Sequence, residues 1–208
     1  MPKNDLVEKL LDLDLMPLGK REALPVKTTK QDIPSFKELF SVDSESLYKD
    51  FLKYTTDNNG YISSREHLFA ENNIDIKEYK DHMNFLGFKK GHYTVFPLRN
   101  INGDLTISTD SYTYNFLKNW PTGIFRPQYN VALDDWKANT HIDHNNNSVH
   151  GFRVLIPLNK SSNIEINNTV HVLNLNKSYF IDVTKPHAAW AKKGRVVLSL
   201  QMDSDILL

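Results

Sequence analysis

Three residues late in the chain have the types and spacing to hold a metal ion. His141 and Asp143 stand two apart, and His187 follows behind Pro186. In an extended strand, residues i and i+2 point to the same side, so His141 and Asp143 can offer an imidazole and a carboxylate to one point. A third ligand must then come from another strand, and His187, after the strand and turn from Tyr179 to Pro186, is the natural candidate. Two imidazoles and one carboxylate on one face of a metal leave three positions open. That donor set suits a non-haem Fe(II) centre, which needs room for a chelating cosubstrate and for dioxygen. A His-x-Asp pair alone arises readily by chance in a chain with 8 histidines. The ordered set, with two arginines interleaved, carries more information.

Arg195 opens a run whose other members include Val196, Val197, Leu198 and Leu200. A guanidinium there points into or along the interior, where its charge costs several kcal/mol unless an anion pairs with it. Its planar fork suits a carboxylate taken through two oxygens. Arg153 lies in the apolar run Phe152–Leu158, and strand alternation sets Arg153, Leu155 and Pro157 on one face. It is a second candidate for an inward basic group. Trp136 and Trp190, near the two histidines in sequence, are candidates for packing or for a pocket wall. His144 and His150 fall in a polar, Asn-rich stretch that reads as a loop, and His171, between two valines, reads as a surface strand residue.

Composition removes several alternatives. The 208 residues include no cysteine, which excludes a disulfide framework, a thiolate metal site and a cysteine nucleophile. The 25 Lys plus Arg balance 25 Asp plus Glu, so no surplus of positive charge favours a nucleic-acid partner. No apolar run reaches the roughly 18 residues of a membrane span. Glu8, Asp12 and Asp14 interrupt the Leu-rich stretch near the start, so it does not read as a signal-peptide core. A cytoplasmic protein, with neither nucleic acid nor membrane as partner, is the default. The abundance of Asn reads as compositional bias.

The elements that must position these residues fall into two parts. Residues 1–90 read as a helical segment: a short Leu-rich helix, a Pro-containing linker, and apolar residues at helical spacing over Ser35–Tyr54 with a break near Asp43. Ser63 with Glu66, and Asp75 with Glu78, have capping-box spacing and predict helices at 63–71 and 75–86. Residues 91–208 change character. Short β-branched and aromatic runs recur at close spacing, at Tyr93–Leu98, Gln128–Leu133, Phe152–Leu158, Ile164–Ile166, Val170–Leu175, Tyr179–Ile181 and Arg195–Met202, and Asn102-Gly103 has the form of a hairpin turn. This spacing predicts an antiparallel sandwich or barrel, with the helical part bracing one sheet.

The runs Arg153–Leu158, Tyr179–Trp190 and Gly194–Leu200 together resemble the Fe(II)- and 2-oxoglutarate-dependent oxygenases, in particular the aspartyl/asparaginyl β-hydroxylase-like branch. The resemblance covers about Gln128 to Asp203. It implies a mainly β fold with α: a double-stranded β-helix (jelly-roll, cupin) core braced by N-terminal helices. It implies Fe(II), 2-oxoglutarate and dioxygen, and a small-molecule or peptidyl substrate: hydroxylation of an amino-acid-like or peptidyl substrate with release of succinate and carbon dioxide. By position His141, Asp143 and His187 match the iron ligands. Arg195 matches the residue that pairs with the distal carboxylate of 2-oxoglutarate, and Arg153 matches a basic residue that helps hold it. Asn130 is a further donor candidate. Two other readings stay open: a metal cupin that does not use 2-oxoglutarate, and a β-sandwich binding or structural protein without catalysis.

Overall fold

The computed structural model describes residues 33–57, 93–98, 104–120, 124–142 and 152–202. In chain order the elements are β1 (Phe36–Ser41), α1 (Ser44–Asp57), β2 (Tyr93–Pro97), α2 (Tyr112–Lys118), β3 (Ile124–Ala132), β4 (Trp136–Lys137), β5 (Phe152–Pro157), β6 (Ser162–Ile166), β7 (Thr169–Leu173), β8 (Lys177–Asp182), β9 (His187–Ala191) and β10 (Val196–Met202). The strands form two antiparallel sheets, one ordered β1-β8-β5-β10-β3-β2 and the other β4-β9-β6-β7. From β3 onward the chain winds back and forth between them, with β3, β5, β8 and β10 in the large sheet and β4, β6, β7 and β9 in the small one. That winding is a double-stranded β-helix, or jelly roll.

The alternation of β10 shows how sequence sorts the two faces of the large sheet. Val196, Leu198 and Leu200 are buried with Val154, Ile156 and Leu158 after β5, Tyr129 of β3, and Leu47 and Phe51 of α1. This is the outer face, where the Phe51 ring meets Phe96 and Tyr129 edge-on at 5.7 and 5.1 Å. Each such side chain contributes about 1.5–3 kcal/mol by leaving water. The intervening residues Val197, Ser199 and Gln201 face the inside of the roll. There Tyr179 and Ile181 of β8 pack with Ile164, Ile166 and Leu173 of the small sheet.

The segment read as helical over Ser35–Tyr54 divides at Asp43. The carboxylate of Asp43 accepts from Ser46 N–H at 3.0 Å and starts α1. Before it lies a strand, not a helix. β1 pairs along β8 at the edge of the large sheet, with three steps from Glu38 to Ser41 set against two from Tyr179 to Lys177. The extra residue is a β-bulge, and Phe36 and Leu39, three apart, are half-buried on opposite faces, Phe36 against the inner cluster and Leu39 against the outer one. A helix-like spacing results from an edge strand that contributes one apolar residue to each face. α2 is a short helix within the β region, begun by Ser111, whose hydroxyl accepts from Tyr114 N–H at 3.0 Å. The helices expected at 63–71 and 75–86, the Asn102-Gly103 turn and the boundary near residue 90 lie outside the described residues.

Asparagine has particular work in this fold. Asn167 and Asn168 (φ 50° and 63°) make the two-residue turn between β6 and β7. Paired left-handed residues match the twist of a hairpin, and Asn tolerates them. Asn176 (φ 60°) makes the next turn, and its side-chain carbonyl accepts from Ser44 N–H.

Candidate metal and anion site

His141 lies directly across from His187, at the end of the small sheet. The two exchange main-chain hydrogen bonds in both directions, at 2.9 and 2.8 Å. Their rings lie with centroids 4.4 Å apart and planes inclined by 50°. A one-residue irregularity produces this alignment. Lys137 pairs with Trp190, yet His141 pairs with His187, so four steps on one strand meet three on the other. The extra residue resets which way the chain faces after Lys137. His187 is also paired with Ile166, a member of the inner cluster, and so shares the inward face of the small sheet.

Each imidazole is oriented by a carbonyl two residues before it. Nδ1 of His141 lies 2.7 Å from the carbonyl oxygen of Asn139, and Nδ1 of His187 lies 3.0 Å from that of Lys185. A carbonyl only accepts, so each Nδ1 carries the proton, and Nε2 keeps its lone pair while the ring is neutral. Fixing one ring nitrogen in this way is how proteins present the other to a metal. Two nitrogens bound to one ion at about 2.0–2.1 Å stand about 3 Å apart when at right angles, a span the ring separation accommodates.

Arg195 occupies the other end of the roll. The ladder between β10 and β3 continues past Val196, since Ala132 N–H donates to the Arg195 carbonyl at 2.9 Å. Strand alternation sets Arg195 on the inner face with Val197, Ser199 and Gln201. Its side chain is 6% exposed, its Nε has no hydrogen-bond partner, and burial pulls its guanidinium down to about 10, well below the ordinary arginine range. Asn159 holds the chain on both sides of it: its amide donates to the Gly194 carbonyl at 2.8 Å and accepts from Val196 N–H at 2.9 Å. Gly194 takes φ 76°, the left-handed conformation the turn requires.

Between these ends the inner face of the large sheet is polar along β3 and β10. Ser199 pairs with Gln128 and Val197 with Asn130, and Gln128 Nε2 donates to Asn130 Oδ1 at 3.0 Å. Gln128, Ser199 and Gln201 are all buried. Arg153 pairs with Gln201, six residues along β10 from Arg195. At about 3.3 Å per residue this is roughly 20 Å of strand, so the two arginines serve opposite ends of the roll.

Of the expected metal ligands, His141 and His187 therefore come together, and Asp143 lies outside the described residues. Among the described residues, no three His, Asp or Glu side chains gather as a ligand set. His144 and His150 also lie outside them. Trp136 pairs with Ala191 on the inner face, whereas Trp190 is turned outward, with Lys137 Nζ 4.4 Å over its ring. His171 is not a surface residue. It is half-buried, its ring stacked on Phe36 with centroids 3.9 Å apart. The polar residues Gln128, Ser199 and Gln201 were missed in the sequence, although their signal is plain: each is a polar residue at an alternate position of an otherwise apolar strand.

No known family model matches the sequence, and no curated protein matches it. Solved structures do align with it. Salicylate 1,2-dioxygenase from Pseudaminobacter salicylatoxidans is 12% identical with a TM-score of 0.38, covering 62% of this chain and 34% of its own. An RmlC-like cupin protein from Desulfovibrio desulfuricans is 11% identical with a TM-score of 0.36, covering 55% of this chain and 86% of its own. A 2OG-Fe(II) oxygenase family oxidoreductase from Burkholderia pseudomallei is 14% identical with a TM-score of 0.37, covering 62% of this chain and 79% of its own. The alignment thus spans about a third of the salicylate 1,2-dioxygenase chain. Among the described residues no helix is long and apolar enough to cross a membrane.

Proposed function

We propose that this protein is an Fe(II)- and 2-oxoglutarate-dependent dioxygenase that hydroxylates an amino-acid-like or peptidyl substrate. One observation carries the reading. Two imidazoles with their Nδ1 protons committed to carbonyls face the inside of a roll, and a buried guanidinium with an unpartnered Nε stands at its other end. The donor set fits. Neutral imidazole is a common ligand for iron, and Asp143 is the carboxylate that would complete the face with His141 and His187. When bound, Fe(II) with 2-oxoglutarate and dioxygen would supply the conversion of a C–H bond to C–OH, releasing succinate and carbon dioxide.

The chain's own residues have distinct tasks. His141 and His187 hold the ion at one end, oriented by Asn139 and Lys185. Arg195 takes the distal carboxylate, because a desolvated guanidinium gains most from a bidentate acid. β9 spans four steps from His187 to Ala191, about 13 Å of strand, so an anion reaching from the ion toward Arg195 must be elongated, as a five-carbon diacid is. The apolar side chains Ile164, Ile166 and Ile181 keep water from that space. Arg153, far from Arg195, is assigned to the mouth of the roll, where it holds the near end of the cosubstrate.

The test is spectroscopic. Anaerobic Fe(II) plus 2-oxoglutarate should give a weak visible charge-transfer band, absent in His187→Ala and His141→Ala. Succinate formation that survives both substitutions overturns the proposal. Full activity in Arg195→Met would instead favour a metal cupin that does not use 2-oxoglutarate.

A further inference from the structure

We infer that Asp182 is a positioning residue for His187, acting through the turn between β8 and β9. The inference rests on the proposed metal site but has a readout that needs no metal. Asp182 is the last residue of β8 and is 5% exposed, which is unusual for a carboxylate. Its Oδ1 accepts twice from the exposed Thr184, from N–H at 2.9 Å and from the hydroxyl at 2.6 Å. Its carbonyl accepts from Lys185 N–H at 3.3 Å. The carbonyl of Lys185 is in turn the acceptor for Nδ1 of His187 at 3.0 Å. The buried carboxylate thus grips Thr184, and the next residue in the chain, Lys185, carries the carbonyl that orients the imidazole.

Two further contacts fix where this turn begins and ends. Asp182 N–H donates to the Ser35 carbonyl at 3.0 Å, and Asn167 N–H donates to the Pro186 carbonyl at 2.9 Å. Pro186 itself has no N–H and cannot hold the turn from within. Within the turn, then, the direction of the Lys185 carbonyl depends on the Asp182 carboxylate. Without the two bonds from Thr184, the Thr184–Lys185 peptide is held on this side only by the Lys185 N–H bond to the Asp182 carbonyl at 3.3 Å, so the Lys185 carbonyl can tilt and its hold on the His187 tautomer weakens.

The experiment uses full-length wild-type protein and the variants Asp182→Ala, Asp182→Asn and Thr184→Val. Nitrogen-15 NMR of labelled histidine reads the His187 tautomer in metal-free protein, and a Co(II) titration reads affinity through ligand-field bands. Asp182→Ala should mix the two His187 tautomers and weaken Co(II) by about 10–100-fold, the usual cost of losing a residue that supports a ligand from behind. Asp182→Asn keeps the Oδ1 acceptor and should stay close to wild type. Thr184→Val removes one of the two donors at an exposed position and should shift both signals in the same direction, which preserves the test if the Ala variant does not fold. An unchanged tautomer in Asp182→Ala or Thr184→Val, or an Asn variant as impaired as Ala, overturns the inference. If wild type binds no Co(II), the proposed function fails while the tautomer still decides the role of Asp182.

Discussion

Asn159 stands astride Arg195. Its amide joins the residue before, Gly194, and the residue after, Val196, so a side chain supplies what a neighbouring strand would otherwise supply. The buried guanidinium is therefore aimed by a fixed backbone. Asn159→Leu leaves one carbonyl and one N–H unmatched, which should cost about 1–3 kcal/mol in urea unfolding. It should also weaken 2-oxoglutarate binding, measured by isothermal titration. Unchanged affinity in a destabilised variant would show that Asn159 only closes a turn.

Arg195 should burden the ligand-free protein and benefit the bound one. Burial holds its folded pKa at about 10, below the ordinary value it has in the unfolded chain. Between those values the unfolded chain binds more protons, so stability rises with pH through that window, and below about 10 the burden is fully present. Arg195→Met should therefore leave the apparent Tm of the free protein unchanged or higher. If 2-oxoglutarate is the cosubstrate, it should stabilise wild type by about 2.7 kcal/mol at a hundredfold excess over Kd, and the same variant should lose that gain. In wild type that stabilisation should fade as pH rises through about 10. Differential scanning fluorimetry across pH follows both effects.

Metal removal should abolish turnover without unfolding the roll. The large core joins β3, β5 and β10 to α1 and includes neither histidine. A chelator should thus stop 2-oxoglutarate turnover while far-UV circular dichroism stays unchanged, and Fe(II) should restore turnover in wild type but not in His141→Ala. Loss of the dichroism signal would instead make the ion structural.

The β6–β7 turn offers a test of backbone conformation. At φ 63°, Asn168 occupies a conformation that β-branched residues resist. Asn168→Val should cost about 1–2 kcal/mol, and Asn168→Gly should be neutral or stabilising, by urea denaturation.

The sheet was largely legible because its inner strands alternate. The runs at Phe152–Leu158, Ile164–Ile166 and Arg195–Met202 each correspond to an observed strand. β1 was not, because Phe36 and Leu39 stand three apart as on a helix while serving opposite faces of an edge strand. β4 was too short to announce itself, and β9, His187–Ala191, is mostly alanine and resembles the continuation of a turn. The two histidines were legible as candidates from residue type and order. The groups that orient them were not: the acceptors on Asn139 and Lys185 are main-chain carbonyls, which every residue possesses. Asn159 was hidden for a different reason. In a chain rich in asparagine, one that grips two backbone groups looks like any other.

The stack of Phe36 on His171 lies where β1, at the margin of the large sheet, approaches β7, at the margin of the small one. Among the described residues no ladder joins these two strands, so the join is made by flat aromatic surfaces. Spreading paired strands breaks directional bonds one after another; sliding one ring over another does not. On that side the described residues therefore close the roll by contact between rings and not by strand pairing.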